Sequence, residues 1–349
     1  MISWLQSLKS HKALMNYFNN TSWLFAEKVI RIITSLVIGI WVVRYLGPEQ
    51  LGLLSYAQSF VGLFAAIASL GLDSIVVREL VKHESQRDVL LGTSFVLKLS
   101  GGFLMLVILG VVTAFSGNDS LTNILIFIVA SGVIVQSFNV IDYYFQSKVM
   151  SKYVSYASTI SLFVSSLIKI ILILNKSNLI YFAFVIFLDN FFVALGLIYY
   201  YQTNKLSIKK WDFNTAKAKA YLSESSALIV SFFMTSVSLQ INQVILKGLL
   251  DAKSLGLYAA SLRLTEQWYI IPVLFTTSLF PSIVKPKNSD DFQIKTKALS
   301  SLLVYMALII SFLLFTTRKY LVDILFGSEY LYTANILGLH AFAIIFVFF

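Results

Sequence analysis

The sequence predicts an all-α, polytopic membrane protein with about ten spans. Composition points there first: 58% of the 349 residues are apolar and 13% charged, mean hydropathy is +0.80, and a soluble domain carries about 25% charged residues. Second, runs of about 20 or more mainly apolar residues recur, the length a helix needs to cross a hydrocarbon core of about 30 Å. Third, these runs show no period-two alternation and are about twice the length of the 10-residue strands of an outer-membrane barrel.

The predicted spans are 22–46, 51–77, 90–114, 122–145, 153–174, 179–201, 222–247, 255–284, 297–316 and 332–349. Before the first, Ile2, Leu5, Leu8, Met15 and Phe18 recur near helical spacing with Lys9 and Lys12 between them, the pattern of an interfacial helix. Span one carries Glu27, Lys28 and Arg31 and ends at Arg44; span two holds Gly62 and leads to Arg78. Span three contains Lys98, Gly101 and Gly102, span four Gly132 and Asp142, span five Lys169, and span six Asp189 before Tyr199, Tyr200 and Tyr201. The longest hydrophilic connection, 202–220, follows with five lysines and reads as a solvated or lipid-facing linker. Span seven has Gln240, Asn242 and Gln243, and span eight has Arg263, Glu266, Pro272 and Pro281. The glycines suit close helix approach, and the prolines should kink span eight. Trp23, Trp41, Tyr45 and Trp211 sit at span ends, as in an aromatic belt.

A net charge of +10 would suggest a nucleic-acid partner in a soluble chain. Here it divides by topology. Sixteen basic residues fall on one side: Lys9, Lys12, Arg78, Lys82, Arg87, Lys148, Lys152, Lys205, Lys209, Lys210, Lys217, Lys219, Lys285, Lys287, Lys295 and Lys297. Six fall on the other: Arg44, Lys176, Lys247, Lys253, Arg318 and Lys319. The asymmetry places the N-terminus in the cytoplasm and argues against a nucleic-acid partner. The chain has no cysteine and three dispersed histidines, so disulfides, zinc clusters, thiol catalysis and a metal site are not expected.

Leu46, Leu51, Gly52 and Leu53 recur 204 residues later as Leu250, Leu255, Gly256 and Leu257, in the outside connections after spans one and seven. This repeat predicts an N-terminal lobe of six spans (1–201), a basic cytoplasmic linker (202–220) and a C-terminal lobe (221–349), related by an axis along the membrane normal. The second lobe has four spans before Phe349 and is expected to be truncated relative to the first.

Arg44-Tyr45-Leu46-Gly47-Pro48-Glu49-Gln50-Leu51-Gly52 resembles the "R-Y-L-G-P-E-x-x-G" turn of the Wzx-type polysaccharide flippases, which share a superfamily with the MATE drug exporters and MurJ-type lipid II flippases. Further matches are Gly71-Leu72 with Arg78-Glu79-Leu80, Asp142-Tyr143-Tyr144-Phe145-Gln146, Gly256-Leu257-Tyr258-Ala259-Ala260 and Phe326-Gly327-Ser328-Glu329-Tyr330. The resemblance implies a MATE-like two-lobe bundle in the bacterial inner membrane. It implies movement of an undecaprenyl-pyrophosphate-linked oligosaccharide, such as an O-antigen unit, by alternating access. It further implies coupling to H⁺ or Na⁺ without a cofactor, and contact with membrane lipids, a polysaccharide polymerase and chain-length machinery.

Charges inside spans are costly and are functional candidates by default. Lys28, Arg31, Lys98, Lys169 and Arg263 are candidates to meet a pyrophosphate or acidic glycan; the resemblance to MurJ-type proteins favours Arg31 and Arg263. Asp142, Asp189 and Glu266 are the coupling candidates by location. Structural uses compete: Lys28, Arg31 and Lys98 can snorkel, Glu27 can pair Arg31 at i, i+4, and Lys169 can pair Asp189. The span-seven amides can bond a sugar or a neighbouring helix. A drug or cation antiporter is the nearest rival function. A membrane polymerase or ligase is disfavoured, because the outside connections are short and hold no catalytic constellation.

Overall fold

The computed structural model describes residues 2–276 and 289–348; the side chains of 2–22, 24–26 and 277–291 lie outside the description. Pro281, Lys285 and Lys287, and the interfacial side chains of 2–18, therefore fall outside it. The described chain is helical throughout, in the order α1 (Ile2–Ser69), α2 (Asp73–Lys82), α3 (Arg87–Phe115), α4 (Ser120–Val135), α5 (Val140–Ser147), α6 (Lys152–Leu174), α7 (Leu179–Thr203), α8 (Thr215–Leu249), α9 (Ala252–Glu266), α10 (Ser289–Phe326) and α11 (Thr333–Phe348). Seven helical stretches are long and apolar enough to cross a membrane, and α11 is a shorter apolar helix. The first stretch, Glu27–Lys82, runs to 56 residues, enough for two crossings. This is a multi-pass membrane protein.

Helices dominate because hydrocarbon offers no water to unpaired backbone groups. Their apolar faces divide accordingly. On α6, Phe163, Leu167, Ile171 and Leu174 form an exposed stripe at helical spacing, while Ser161, Leu162, Ser165 and Ser166 on the other face are buried. In lipid such packing is held by dispersion and close approach rather than by removal of apolar surface from water. Glycines supply the close approach: a Cβ at Gly101 would lie 2.7 Å from the Ile67 carbonyl oxygen, and one at Gly62 3.1 Å from Gln240. Gly39 has nothing within 4 Å of that position, so the packing role expected of it does not apply.

Three spans expected to be continuous are interrupted. Span two stops at Ser69, because Leu70 (φ 53°) and Gly71 (φ 61°) are both left-handed, and it restarts at Asp73. Span four changes to a 3₁₀ turn at Gln136–Asn139 before α5. Span eight tightens into a 3₁₀ turn at Gln267–Tyr269 before helical residues 270–276. Pro272 explains the last, since it cannot donate to the carbonyl four residues back and crowds it.

Where α5, α6 and α7 end, the carbonyls they orphan are caught by the chain that follows. Met150, Ser177 and Leu206 donate to the carbonyls of Phe145, Leu172 and Tyr201 at 2.8, 3.0 and 3.3 Å, with left-handed Val149, Lys176 and Lys205 preceding them. This is the Schellman arrangement without its usual glycine. Helices α1 and α9 open on repeat-equivalent residues by different means. Gly47 (φ 68°, ψ 170°) breaks α1 just before Pro48, whereas Asp251 caps α9 by accepting from the Ser254 backbone N–H at 2.8 Å. Hydrogen bonds from the Ser254 hydroxyl and then from its backbone N–H hold the Asp251 carboxyl below its ordinary range.

The chain divides into two compact units, one of Met1–Gly39 and Tyr56–Ile245, the other of Ile40–Ser55 and Leu246–Phe349. In the first, Leu72 and, from α2, Val76 and Leu80 pack with Leu90, Leu91, Ile141, Phe145 and Tyr201. The connection 202–220, expected as a free linker, is docked there. Trp211 donates to the Tyr201 hydroxyl at 3.2 Å, Asn214 donates to Thr93 Oγ1 at 3.1 Å, and the Asp212 backbone occupies the space left by the missing side chain of Gly92. In the second unit, Val43, Leu51, Leu257, Ala260, Val322, Phe326 and Tyr330 share a core.

Two substitutions test the backbone account in opposite directions. Val149→Gly should stabilise the protein by about 1 kcal/mol, because it relieves a β-branched residue held left-handed. Gly47→Ala should destabilise it by about 1–3 kcal/mol, because that φ/ψ region belongs to glycine. Thermal unfolding in detergent should show the midpoint rising in the first variant and falling in the second.

Candidate functional site

Two interruptions meet in the first unit. The left-handed turn at Leu70–Gly71 sets Asp73 in the first turn of α2, and the 3₁₀ turn at Gln136–Asn139 sets Asp142 in the first turn of α5. Both carboxylates thus sit at helix N-termini, where the helix dipole favours negative charge. Between them lies a pocket of ≈ 590 Å³ lined by Asp73, Ser74, Val77, Arg78, Asn139, Asp142, Tyr143 and Gln146. Polar sites in membrane carriers are typically built from such discontinuous helices.

Lys98 enters from α3. It is 6% exposed, its Nζ lies 3.2 Å from Asp73 Oδ1, and it donates to the Tyr143 hydroxyl, which in turn donates to Asp73. At the rim, the Arg78 guanidinium bonds both oxygens of Glu224 at 2.5 and 2.7 Å and also reaches Glu79. Glu224 comes from α8, which also packs against Gly71 through Leu228. Each cation at the pocket is therefore matched by a carboxylate. Asp142 has Gln146 as its hydrogen-bond partner and no ion pair within 4 Å among the described residues. The cavity lining holds two carboxylates, two amides, two hydroxyls and the Arg78 guanidinium, which Glu224 already pairs. That set can bond sugar hydroxyls or hold a cation; it has no spare positive charge for a pyrophosphate.

The other predicted residues fall elsewhere. Lys28 is exposed on α1, and Arg31 pairs with Glu27 at 2.7 Å. Asp189 accepts from Ser161 Oγ at 2.8 Å, which leaves Lys169 about 12 Å further along α6 by helical rise. Lys169 is half-buried. In the second unit, Arg263 stands in the last turn of α9, half-buried, with Tyr330 and Glu266 as electrostatic neighbours. Among the described residues it makes no ion pair. Of the span-seven amides, Gln240 packs on Gly62, and Gln243 Oε1 is buried without a partner among the described residues.

The structure therefore brings Lys98 and Asp142 to one site and leaves Lys28, Arg31, Lys169, Asp189, Arg263 and Glu266 outside it. Sequence reading missed Asp73, Arg78, Tyr143 and Glu224. Asp73 lies inside the predicted second span and meets the same test of a charge in an apolar run; Arg78 was absorbed into the count of cytoplasmic cations. Glu224, inside the predicted seventh span, meets that test too; Tyr143 has no signal beyond the stretch in which it was matched.

The chain is a multi-pass helical protein with interrupted spans around a polar pocket, and a solved structure shares its fold. That structure, described as the inward-facing conformation of a multidrug resistance MATE family transporter of the MOP superfamily, is similar with a TM-score of 0.68 over 90% of this chain and 76% of the other, at 14% identity. The sequence model of the polysaccharide biosynthesis protein family matches residues 17–287, and the chain belongs to that family. No curated protein matches it.

The Lys98–Asp73 pair is open to a double-mutant cycle. Asp73→Asn leaves a buried ammonium short of its counter-charge and should cost about 2 kcal/mol, below the 3–5 kcal/mol of a fully buried pair because Asp73 is half exposed. Lys98→Met together with Asp73→Asn should recover most of that loss in thermal unfolding.

Proposed function

We propose that the protein is a flippase that carries an undecaprenyl-pyrophosphate-linked oligosaccharide repeat unit, such as an O-antigen unit, across the bacterial inner membrane by alternating access. The observation that carries this reading is the pocket at the two broken spans, whose carboxylates, amides and hydroxyls suit sugar hydroxyls, within a chain of the polysaccharide biosynthesis family. The pyrophosphate needs a cation, and Arg263 is the candidate in the second unit, with Lys28 and Arg31 beside it in role. Lys98 acts instead as a positioning residue that holds Asp73 and Tyr143.

Two lobes, 1–201 and 221–349, joined through 202–220, rock about the cargo, with the N-terminus and the larger set of lysines and arginines in the cytoplasm. Coupling falls to Asp142, which can take up H⁺ or Na⁺ as access changes. A polysaccharide polymerase and chain-length machinery receive the product. The second reading, a MATE-like antiporter of cations or drugs, is favoured by one observation: the surplus negative charge of the same pocket.

Complementation of a deletion strain decides between them. The native gene should restore surface polysaccharide, Asp142→Asn should reduce it to background at unchanged membrane abundance, and Arg263→Ala should lower it about tenfold or more, the loss of one charge-assisted hydrogen bond. A native gene that restores drug or cation resistance and no surface glycan would establish the antiporter instead.

A further inference from the structure

In the second unit, the segments that carry the sequence repeat touch. A Cβ at Gly52 of α1 would lie 1.9 Å from the Ala252 carbonyl oxygen and 2.9 Å from the Gly256 nitrogen. A Cβ at Gly256 of α9 would lie 1.7 Å from the Pro48 carbonyl oxygen and 3.0 Å from the Gly52 nitrogen. Gly52 and Gly256 are 204 residues apart, and so are Pro48 and Ala252. The contact is therefore reciprocal, each half presenting to the other the surface it receives, as at a two-fold axis. The two helices meet backbone to backbone with no side chain between them.

One directional bond spans the same junction. The Tyr330 hydroxyl, fully buried, donates to the Val43 carbonyl at 2.8 Å. The rest is apolar closure beneath the crossing, including Leu51 and Ala260, each 0% exposed. No ion pair crosses it among the described residues.

We propose that this crossing is the outside gate of the carrier, with the Gly52–Gly256 contact as its seal and Tyr330 as its latch. The proposal rests on the alternating-access reading and on the charge count that puts both connections outside. Contacts of the Cα–H···O type are worth about 0.5–1 kcal/mol each, and the Pro48 and Ala252 carbonyls lie in the first turns of their helices, where they accept intrahelical bonds. Such a joint can part and close again without stranding a charge. A fixed joint of this kind needs no two-fold relation and gains from side chains interlocked at the point of crossing, where here backbone meets backbone.

The chain has no cysteine, so a single Ala260→Cys reports on the gate in intact cells through a membrane-impermeant maleimide added outside. In the native background the thiol should react slowly. Gly52→Leu should raise its rate about tenfold, a one-decade shift toward the open form. Tyr330→Phe, which keeps the ring and removes one bond, should raise it by a smaller factor and serves if the leucine variant fails to accumulate. Gly39→Leu and Gly248→Leu, where a Cβ meets nothing within 4 Å, should leave it unchanged. Labelling in Gly52→Leu and Tyr330→Phe no faster than in the parent would overturn the gate and make the crossing a permanent joint. Because the readout needs no cargo, it stands or falls separately from the glycolipid assignment.

Discussion

The structure depends on a single constraint: inside hydrocarbon, every backbone N–H, every carbonyl and every charge must find a partner in the protein. Unbroken helices satisfy the backbone, and this is why apolar runs become helices and why the ends of α5, α6 and α7 are closed by left-handed residues even where these are Val149, Lys176 and Lys205 rather than glycine. The same constraint makes each interruption conspicuous. Leu70–Gly71 and Gln136–Asn139 break the regular helical pairing, and a polar pocket lies beside the helices that restart after them.

Charge follows the constraint at some residues and departs from it at others. Of the 27 basic residues, five (Lys28, Arg31, Lys98, Lys169 and Arg263) belong to neither the cytoplasmic nor the outside set. Lys98 is balanced by Asp73 and bound to Tyr143, and Arg31 is balanced by Glu27. Residues that look alike in sequence, as cations in apolar runs, therefore divide into internal counter-charges and an arginine, Arg263, that makes no ion pair among the described residues. This moves the candidate phosphate contact away from the first-unit pocket and leaves that pocket to neutral or cationic chemistry.

The spans were legible because length and apolar content encode them directly; predicted 153–174 and observed Lys152–Leu174 differ by one residue. Of the four identities read as a repeat, the Gly52–Gly256 pair has a physical reason in the structure: only glycine lets the two backbones meet. The breaks were less legible. Gly71 announces a turn, but Leu70 at φ 53° has no local preference for it, and its conformation follows from the helix end it closes. Asn139 and Asp142 look like ordinary polar interruptions of an apolar run. Their meeting with Asp73 depends on how α2 packs on α5, a tertiary fact that neither segment contains. The 202–220 connection reads as a solvated linker by its lysines, while Trp211 and Gly92, which dock it, lie too far apart in sequence to be matched by pattern.

The central claim, that the interrupted-helix pocket and its surroundings move a lipid-linked glycan between leaflets, is tested most directly in vesicles. The purified protein would be reconstituted with a fluorescent undecaprenyl-pyrophosphate oligosaccharide, and the fraction accessible to a membrane-impermeant quencher would be followed over time. The account predicts that the glycan reaches the opposite leaflet far faster with the protein than in protein-free vesicles, and that Asp142→Asn abolishes the difference. Movement at the protein-free rate, with the native protein correctly inserted, would contradict it.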